Sequence, residues 1–383
     1  MPYLDHAATT PLRPEVAEAM ARAHRDAWGN PSSLHAEGRR ARVALETARE
    51  RVADVLGAEP GEVVFTSGGT EADNLALRGV LAALPDRPGL VTSAVEHEAV
   101  LHTARALERD GHPVTVIDPD PTGRVSTEAV AEALDDATGL VSVILANNEI
   151  GTLNPVRDIA LTAREAGAFI HTDAVQAPGM LPVGLDALGV DLFSISAHKL
   201  GGPKGVGALV VRARTPFVVR QTGGSQERKR RGGTENVPGI VGLGEALALA
   251  EAERAETAIR VAGLRDALRR SLEETTGDRL VVHTPSNNAA PHILSVSLRP
   301  DPPVDGEMLL AALDLEGVRA SAGSACTSGA LEPSHVLLAL GVPRETAAAT
   351  VRFSFGRSTT EADVAQAHAA FVRVVGRLDA VAA

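Results

Sequence analysis

Residues 62–77 read EVVFTSGGTEADNLAL: a short β-rich run, the turn Thr66-Ser67-Gly68-Gly69-Thr70, and at once a helical run. The apolar residues of the first part are consecutive, as in a strand buried on both faces, whereas those after the glycines recur at helical spacing. That change of rhythm repeats along the chain. RRARVALETARERVADVLGA precedes it, and GLVTS, HEAVLHTARALERDG, PVTVID, LVSVILA, RDIALTAREAG, AFIHTD and DLFSISA follow. Strands alternating with helices predict an α/β fold, with a mostly parallel sheet covered by helices on both faces.

After GALVVR the pattern turns Gly-rich and charged in TGGSQERKRRGGTENVPG, then helical from about residue 238 to 275. That helix is expected to bridge two domains. HILSVSL, GEMLLAALDLEG, SHVLLALG, TVRFSFG and EADVAQAHAAFVRVVGRL read as a smaller α+β unit. A chain of 383 residues is long for one core, so we expect a large domain over 14–258 and a small one built from 1–13 and 259–383.

Composition is that of a soluble globular protein, 44% hydrophobic and 22% charged, and a net charge of -12 opposes unspecific attraction to nucleic acid or anionic lipid. The opening MPYLDHAATTP lacks the apolar core of a signal peptide and no later run approaches a membrane span, so a cytoplasmic protein without membrane contact is expected.

Three stretches carry chemistry. The Gly68-Gly69-Thr70 turn would present backbone amides and a helix N-terminus to a phosphate, although alone it fits an ordinary capped turn equally well. AFIHTDAVQ brings Asp173 and Gln176, and DLFSISAHK brings Ser196, His198 and Lys199, to the carboxyl ends of strands, where open parallel sheets collect ligands. Lysine usage singles out Lys199. The chain has only Lys199, Lys204 and Lys229 among 37 basic residues, and an amine that must form a Schiff base cannot be replaced by arginine. Pyridoxal 5'-phosphate would use an amine, a carboxylate opposite its ring nitrogen and a phosphate cradle together. His97, in SAVEHEAV, could supply an aromatic face and an acid–base group above such a ring, or simply cap a helix.

SAGSACTSGALEP, residues 321–333, holds the only cysteine, Cys326. One thiol excludes an intramolecular disulfide framework and a Cys-ligated zinc or iron–sulfur site, leaving a structural filler or a reagent. Its Gly and Ser neighbours favour the reagent. Three other signals are set aside. His97 and His102 are five apart, not on one helix face; GGPKGVG precedes a strand where a phosphate loop needs a helix; and ERKRR, residues 227–231, is taken as a solvated stretch, with no direct nucleic-acid binding expected.

The segments YLDHAATTP, GNPSSLHAEGRRAR, FTSGGTEADN, EHEAV, NNEIG, HTDAVQAPG, SAHKLGGPKGVG, RRGGTEN, GSACTSG and RFSFGR occur in the order found in cysteine desulfurases of the IscS/NifS type, and the chain resembles that family over nearly its whole length. The resemblance implies a homodimeric, pyridoxal-phosphate-dependent enzyme of fold type I that converts L-cysteine to L-alanine. It implies that Lys199 bonds the cofactor aldehyde, Asp173 pairs its ring nitrogen, and His97 stacks on the ring and shuttles protons. Gln176 and Asn148 would bond the phenolic oxygen, and Gly69, Thr70, Ser196 and His198 would hold the phosphate, with Thr234 arriving from the neighbouring subunit. Arg352 and Asn30 would receive the substrate carboxylate alongside Asn148, and Cys326 would carry sulfur as a persulfide to an acceptor protein. That acceptor could be an iron–sulfur scaffold, a tRNA-thiolating enzyme or a DNA phosphorothioation system. Ala322 and Ala197 depart from the family's usual Ser and Gly without removing a functional group. The alternatives are a selenocysteine lyase or another fold-type-I enzyme in which Cys326 is incidental, and a non-catalytic assembly partner.

Overall fold

The structure is a computed structural model that describes residues 1–299, 304–323 and 332–382. Strands β1 (Val63–Thr66), β2 (Gly89–Ser93), β3 (Val114–Ile117), β4 (Thr138–Ser142), β5 (Phe169–Asp173), β6 (Leu192–Ser196) and β7 (Gly207–Val211) form one sheet. Their order is β1-β7-β6-β5-β4-β2-β3. Strand β7 runs antiparallel to both β6 and β1, and every other pair is parallel. The reversal follows from chain length, because only residues 197–206 separate β6 from β7, too few for the helical crossover that a parallel pair requires. Helices cover both faces, so β2, β4, β6 and β7 are buried at every position. That is why they read as short apolar runs broken only by small Ser, Thr and Gly residues. Of the seven, only the edge strand β3 has exposed residues.

A second, antiparallel sheet has the order β10-β9-β8, from β8 (Leu280–Val282), β9 (Ile293–Leu298) and β10 (Thr350–Ser354). It has its own core, in which Leu294, Val296, Phe353 and Phe371 pack with Leu4 from the N-terminal segment. The 40-residue helix Val237–Thr276 joins the two cores. Ile240, Leu243 and Leu247 pack into the core of the large sheet, and Val261, Leu264, Leu268 and Leu272 into that of the small one. Among the described residues no helix is long and apolar enough to cross a membrane.

The ERKRR stretch corrects the sequence reading, for it is built into the fold. Glu227, Arg228 and Lys229 have φ of 44°, 54° and 65°, a left-handed turn that costs roughly 1–2 kcal/mol per residue. The turn delivers the Glu227 carboxylate into the interior. There it accepts hydrogen bonds from Arg49 Nη1 (2.9 Å) and Nη2 (2.8 Å) and from the Phe65 amide (2.9 Å), while the guanidinium lies 4.7 Å from the centre of the Phe65 ring. Arg49 also donates to the Val63 carbonyl. The pair thus pins β1, from which the Gly68–Thr70 turn departs. Replacing Glu227 by Ala strands a buried guanidinium and is expected to lower unfolding stability by roughly 3–5 kcal/mol, measured by denaturant titration. A loss below about 1 kcal/mol, the scale of an exposed pair, would show that the pair is not anchored as described.

Candidate active site

The carboxyl ends of β1, β2, β4, β5 and β6 lie along one edge of the large sheet, and each ends in a residue or turn that sequence reading singled out. Together with the small sheet they enclose a pocket of ≈ 340 Å³. The pocket is lined by Gly69, Thr70, His97, Asn148, Asp173 and Gln176, and by Ser196, His198, Lys199 and Arg352. One expected member is not in it: Asn30 is exposed and accepts a bond from the Ser32 amide, while Thr234, expected from the neighbouring subunit, is exposed elsewhere on this chain. Cys326 lies outside the described residues.

The turn after β1 has no room for larger residues. A Cβ on Gly69 would stand 2.8 Å from Val175 Cγ2, and one on Gly207 equally close to Gly68 Cα. Helix Gly69–Leu81 starts there with no side chain capping it, so its first amides and partial positive charge face the pocket. The hydroxyl of Thr70 lies at this end, as do Ser196 and His198. Burial, with Lys199 and Lys204 nearby, lowers the His198 pKa to about 4.

Asp173, the last residue of β5, accepts the Val175 amide at 2.8 Å. Burial raises its pKa, with His97 and Lys199 pulling the other way. Behind it, Asp73 is fully buried, and burial and then Asp173 raise its pKa well above the usual range. Asp73 Oδ1 has no hydrogen-bond partner and stands 3.6 Å from His171 Nε2. His171 bridges Ser142 (2.9 Å) and Ser194 (3.0 Å), and burial lowers its pKa to about 3. The arrangement is a carboxylate held in a dry, hydrogen-bonded bed, suited to a cationic ring nitrogen.

Lys199 follows β6 in a tight turn, Ala197–Lys199. Its Nζ donates to the carbonyls of Ala7 (2.5 Å) and Ala8 (2.8 Å). Burial and then the Arg352 charge lower its pKa to about 8, against Asp173 and Asp5. His97 is both things the sequence left open: it caps the helix Glu98–Arg109 through Nδ1, which accepts the Ala99 amide at 3.1 Å, and it lines the pocket. Since Nδ1 is an acceptor, the ring's proton sits on Nε2. Arg352, on β10, donates to Asp5 Oδ1 (2.9 Å), Ser321 Oγ (2.9 Å) and the Asn148 carbonyl (2.7 Å), and its Nε is buried without a partner. Sequence reading did not single out Asp73, Asp5 or Glu149, which also contribute. Asp73 is three residues beyond Thr70, on the same helix face, and Glu149 is next to Asn148 in NNEIG, so both lay inside motifs already quoted.

A phosphate cradle, a buried carboxylate and a buried amine in one pocket fit pyridoxal phosphate by their chemistry. The chain matches the description Aminotransferase class-V over residues 2–366. It is 46% identical over 377 residues to a protein of Dictyoglomus turgidum named cysteine desulfurase IscS, covering 98% of this chain and 95% of that one. Among solved structures, a NifS-like protein superposes with a TM-score of 0.91 at 37% identity, over 98% of this chain and 99% of the other. SspA, solved in complex with cysteine, superposes at 0.81 with 35% identity, over 93% and 99%. A match along nearly the whole chain, joined to a pocket of this chemistry, places the protein in the class-V aminotransferase family, whose members work with pyridoxal phosphate.

Proposed function

We propose that the protein is a cysteine desulfurase that converts L-cysteine to L-alanine, moving the sulfur to Cys326 and from there to an acceptor protein. The observation that carries the reading is Lys199, a buried amine at the end of β6 in the same pocket as the Asp173 carboxylate and the open N-terminus of the helix Gly69–Leu81. Pyridoxal phosphate, when bound, supplies an aldehyde that reacts with amines and a ring that takes up the electrons released at the substrate's Cα. Its phosphate would rest on the Gly69 and Thr70 amides with Ser196 and His198, its ring nitrogen on Asp173, and its phenolic oxygen near Gln176 and Asn148.

The chain's own groups do the rest. Lys199 is the base that removes the Cα proton and the acid that returns it. His97, its Nδ1 occupied by the Ala99 amide, can donate a hydrogen bond from Nε2–H within the pocket without releasing its hold on the helix. Arg352 receives the substrate carboxylate; Asp5, already paired with it, keeps the guanidinium oriented. The Cys326 thiolate attacks the substrate sulfur: an S–S bond forms, the substrate's C–S bond breaks with its electrons left on carbon, and protonation of that carbon gives alanine. In this reading two chains associate in the cytoplasm, and Thr234, exposed on one chain, serves the pocket of the other copy.

Cys326→Ala is expected to keep the bound cofactor's visible absorbance and its change on adding cysteine, while alanine and sulfide formation fall on the order of 10³-fold. Wild-type turnover by this variant would remove Cys326 from the reaction, and formation of a keto acid in place of alanine by the wild type would defeat the desulfurase reading. The lowered Lys199 pKa makes a second test. Because only the free amine captures an aldehyde, the rate at which cofactor-free protein takes up pyridoxal phosphate should fall about tenfold per pH unit below about 8 and level off above it. A rate still climbing at pH 10, as for an ordinary lysine near 10.4, would show that the amine is not held as described.

A further inference from the structure

A second cavity, of ≈ 200 Å³, shares Lys199 and Gln176 with the active-site pocket and is otherwise lined by different residues. Those two side chains form the wall between the cavities. The second runs from an exposed mouth at Leu12, Arg357 and Ser358, past the ion pair of Arg13 and Glu253 (2.5 Å), to an inner end where His6 and His292 lie.

The state of His292 can be derived from its neighbours. Gln176 Nε2 donates to the Ala7 carbonyl at 3.0 Å, which fixes the amide and turns Oε1 toward His292 Nε2, 3.3 Å away. An amide oxygen only accepts, so His292 carries its proton on Nε2 and leaves a bare lone pair on Nδ1. That Nδ1 is buried and without a partner on a residue only 4% exposed. His6 is 5% exposed, and neither of its ring nitrogens has a well-formed hydrogen bond. The His6 ring is held edge-on by Tyr3, 5.0 Å between centres, and lies so close to Gly356 that a Cβ there would stand 2.3 Å from His6 Nδ1. Buried imidazoles with unused nitrogens on a cavity of this size call for ordered water, each molecule taking about 30 Å³ in the liquid.

We propose that this cavity is a water-filled proton-exchange chamber for Lys199, through which a proton taken by the amine on the substrate side reaches solvent along waters held by His292 and His6. The step is a balanced exchange. One N–H bond of the Lys199 ammonium breaks as its proton passes to a chamber water, and a proton from that water forms a new N–H bond, leaving the charge unchanged. The neutral imidazoles accept at one nitrogen and donate at the other. Gln176 borders both cavities and its Oε1 accepts from His292 Nε2, so one amide ties the chamber to the substrate pocket.

The inference rests on Lys199 acting as the base at Cα. The test uses cofactor-loaded protein in D₂O with L-alanine as the probe. One readout is the change in visible absorbance on adding alanine; the other is loss of the alanine Cα–H signal by proton NMR. Ser358→Trp obstructs the mouth from an exposed position where the fold is not at stake, and His6→Phe removes the nitrogens while keeping a ring in place. The expected result is an unchanged absorbance response with Cα–H exchange slowed at least about tenfold in either variant. Wild-type exchange in both variants overturns the chamber, as does a wild type that gives the absorbance change but no exchange. A wild type with no absorbance change counts instead against the desulfurase reading; a crystal structure then decides the chamber, with water on His292 Nδ1 supporting it and a dry cavity overturning it.

Discussion

An ammonium group withdrawn from water must find acceptors, and in this fold the Lys199 amine finds them in the backbone carbonyls of Ala7 and Ala8, far away in sequence. The N-terminal segment that supplies them is tied on its other side to the small sheet. The Ala7 amide donates to Ser354 Oγ, Asp5 accepts from Arg352, and the Leu4 amide donates to the Arg319 carbonyl. The same few residues therefore hold the amine of the large sheet and the guanidinium of the small one. Because the two cations meet across one segment, each disfavours the other's charge; Arg352 can do nothing but remain protonated, so the lysine yields. Burial lowers the lysine's pKa most, and the way the two sheets are joined adds the Arg352 charge to that effect.

The parts of the fold that the sequence displayed were those whose chemistry is one-sided. Strands β2, β4, β6 and β7, buried on both faces, carry only apolar residues with small Ser, Thr and Gly among them, which makes them legible in the sequence. Strand β8 was not found, because Leu280–Val282 is three residues long and only partly buried. The Glu227 turn was misread for a different reason. Five charged residues in a row signal solvent by composition, and nothing in composition shows a left-handed backbone that turns one carboxylate inward to a guanidinium 178 residues away. Local pattern carries local structure; a pairing made by tertiary contact leaves no local trace.

The pocket shows the same division. Lys199, Asp173, Gln176 and His198 were visible because they follow directly on recognisable strands. His97 was visible but ambiguous, and the structure dissolves the ambiguity, since one ring nitrogen caps the helix while the ring borders the pocket. His6 and His292 carried no signal at all: each lies in an otherwise ordinary run, and only the amide of Gln176, oriented by the Ala7 carbonyl, gives His292 a defined tautomer and a spare lone pair.

The acids around the pocket outnumber its cations, and burial settles which of them can hold charge. Glu96 accepts hydrogen bonds from Ser93 and the Ile144 amide, yet burial still pushes its pKa to about 8, so it is neutral over most of the range in which Lys199 is protonated. Asp73 is raised in the same way, and by Asp173 beside it. A cationic ring nitrogen beside Asp173 would relieve the burial that raises that carboxyl's pKa. Glu149 belongs to a different task. Burial raises its pKa too, while the Ser334 hydroxyl donates to it at 2.5 Å and Gly323 packs beside its carboxylate. Those two residues flank the stretch that contains Cys326, so the acid that lies next to Asn148 in the chain bonds one flank and stands close to the other. A single residue position thereby links the wall of the pocket to the residues on either side of 324–331.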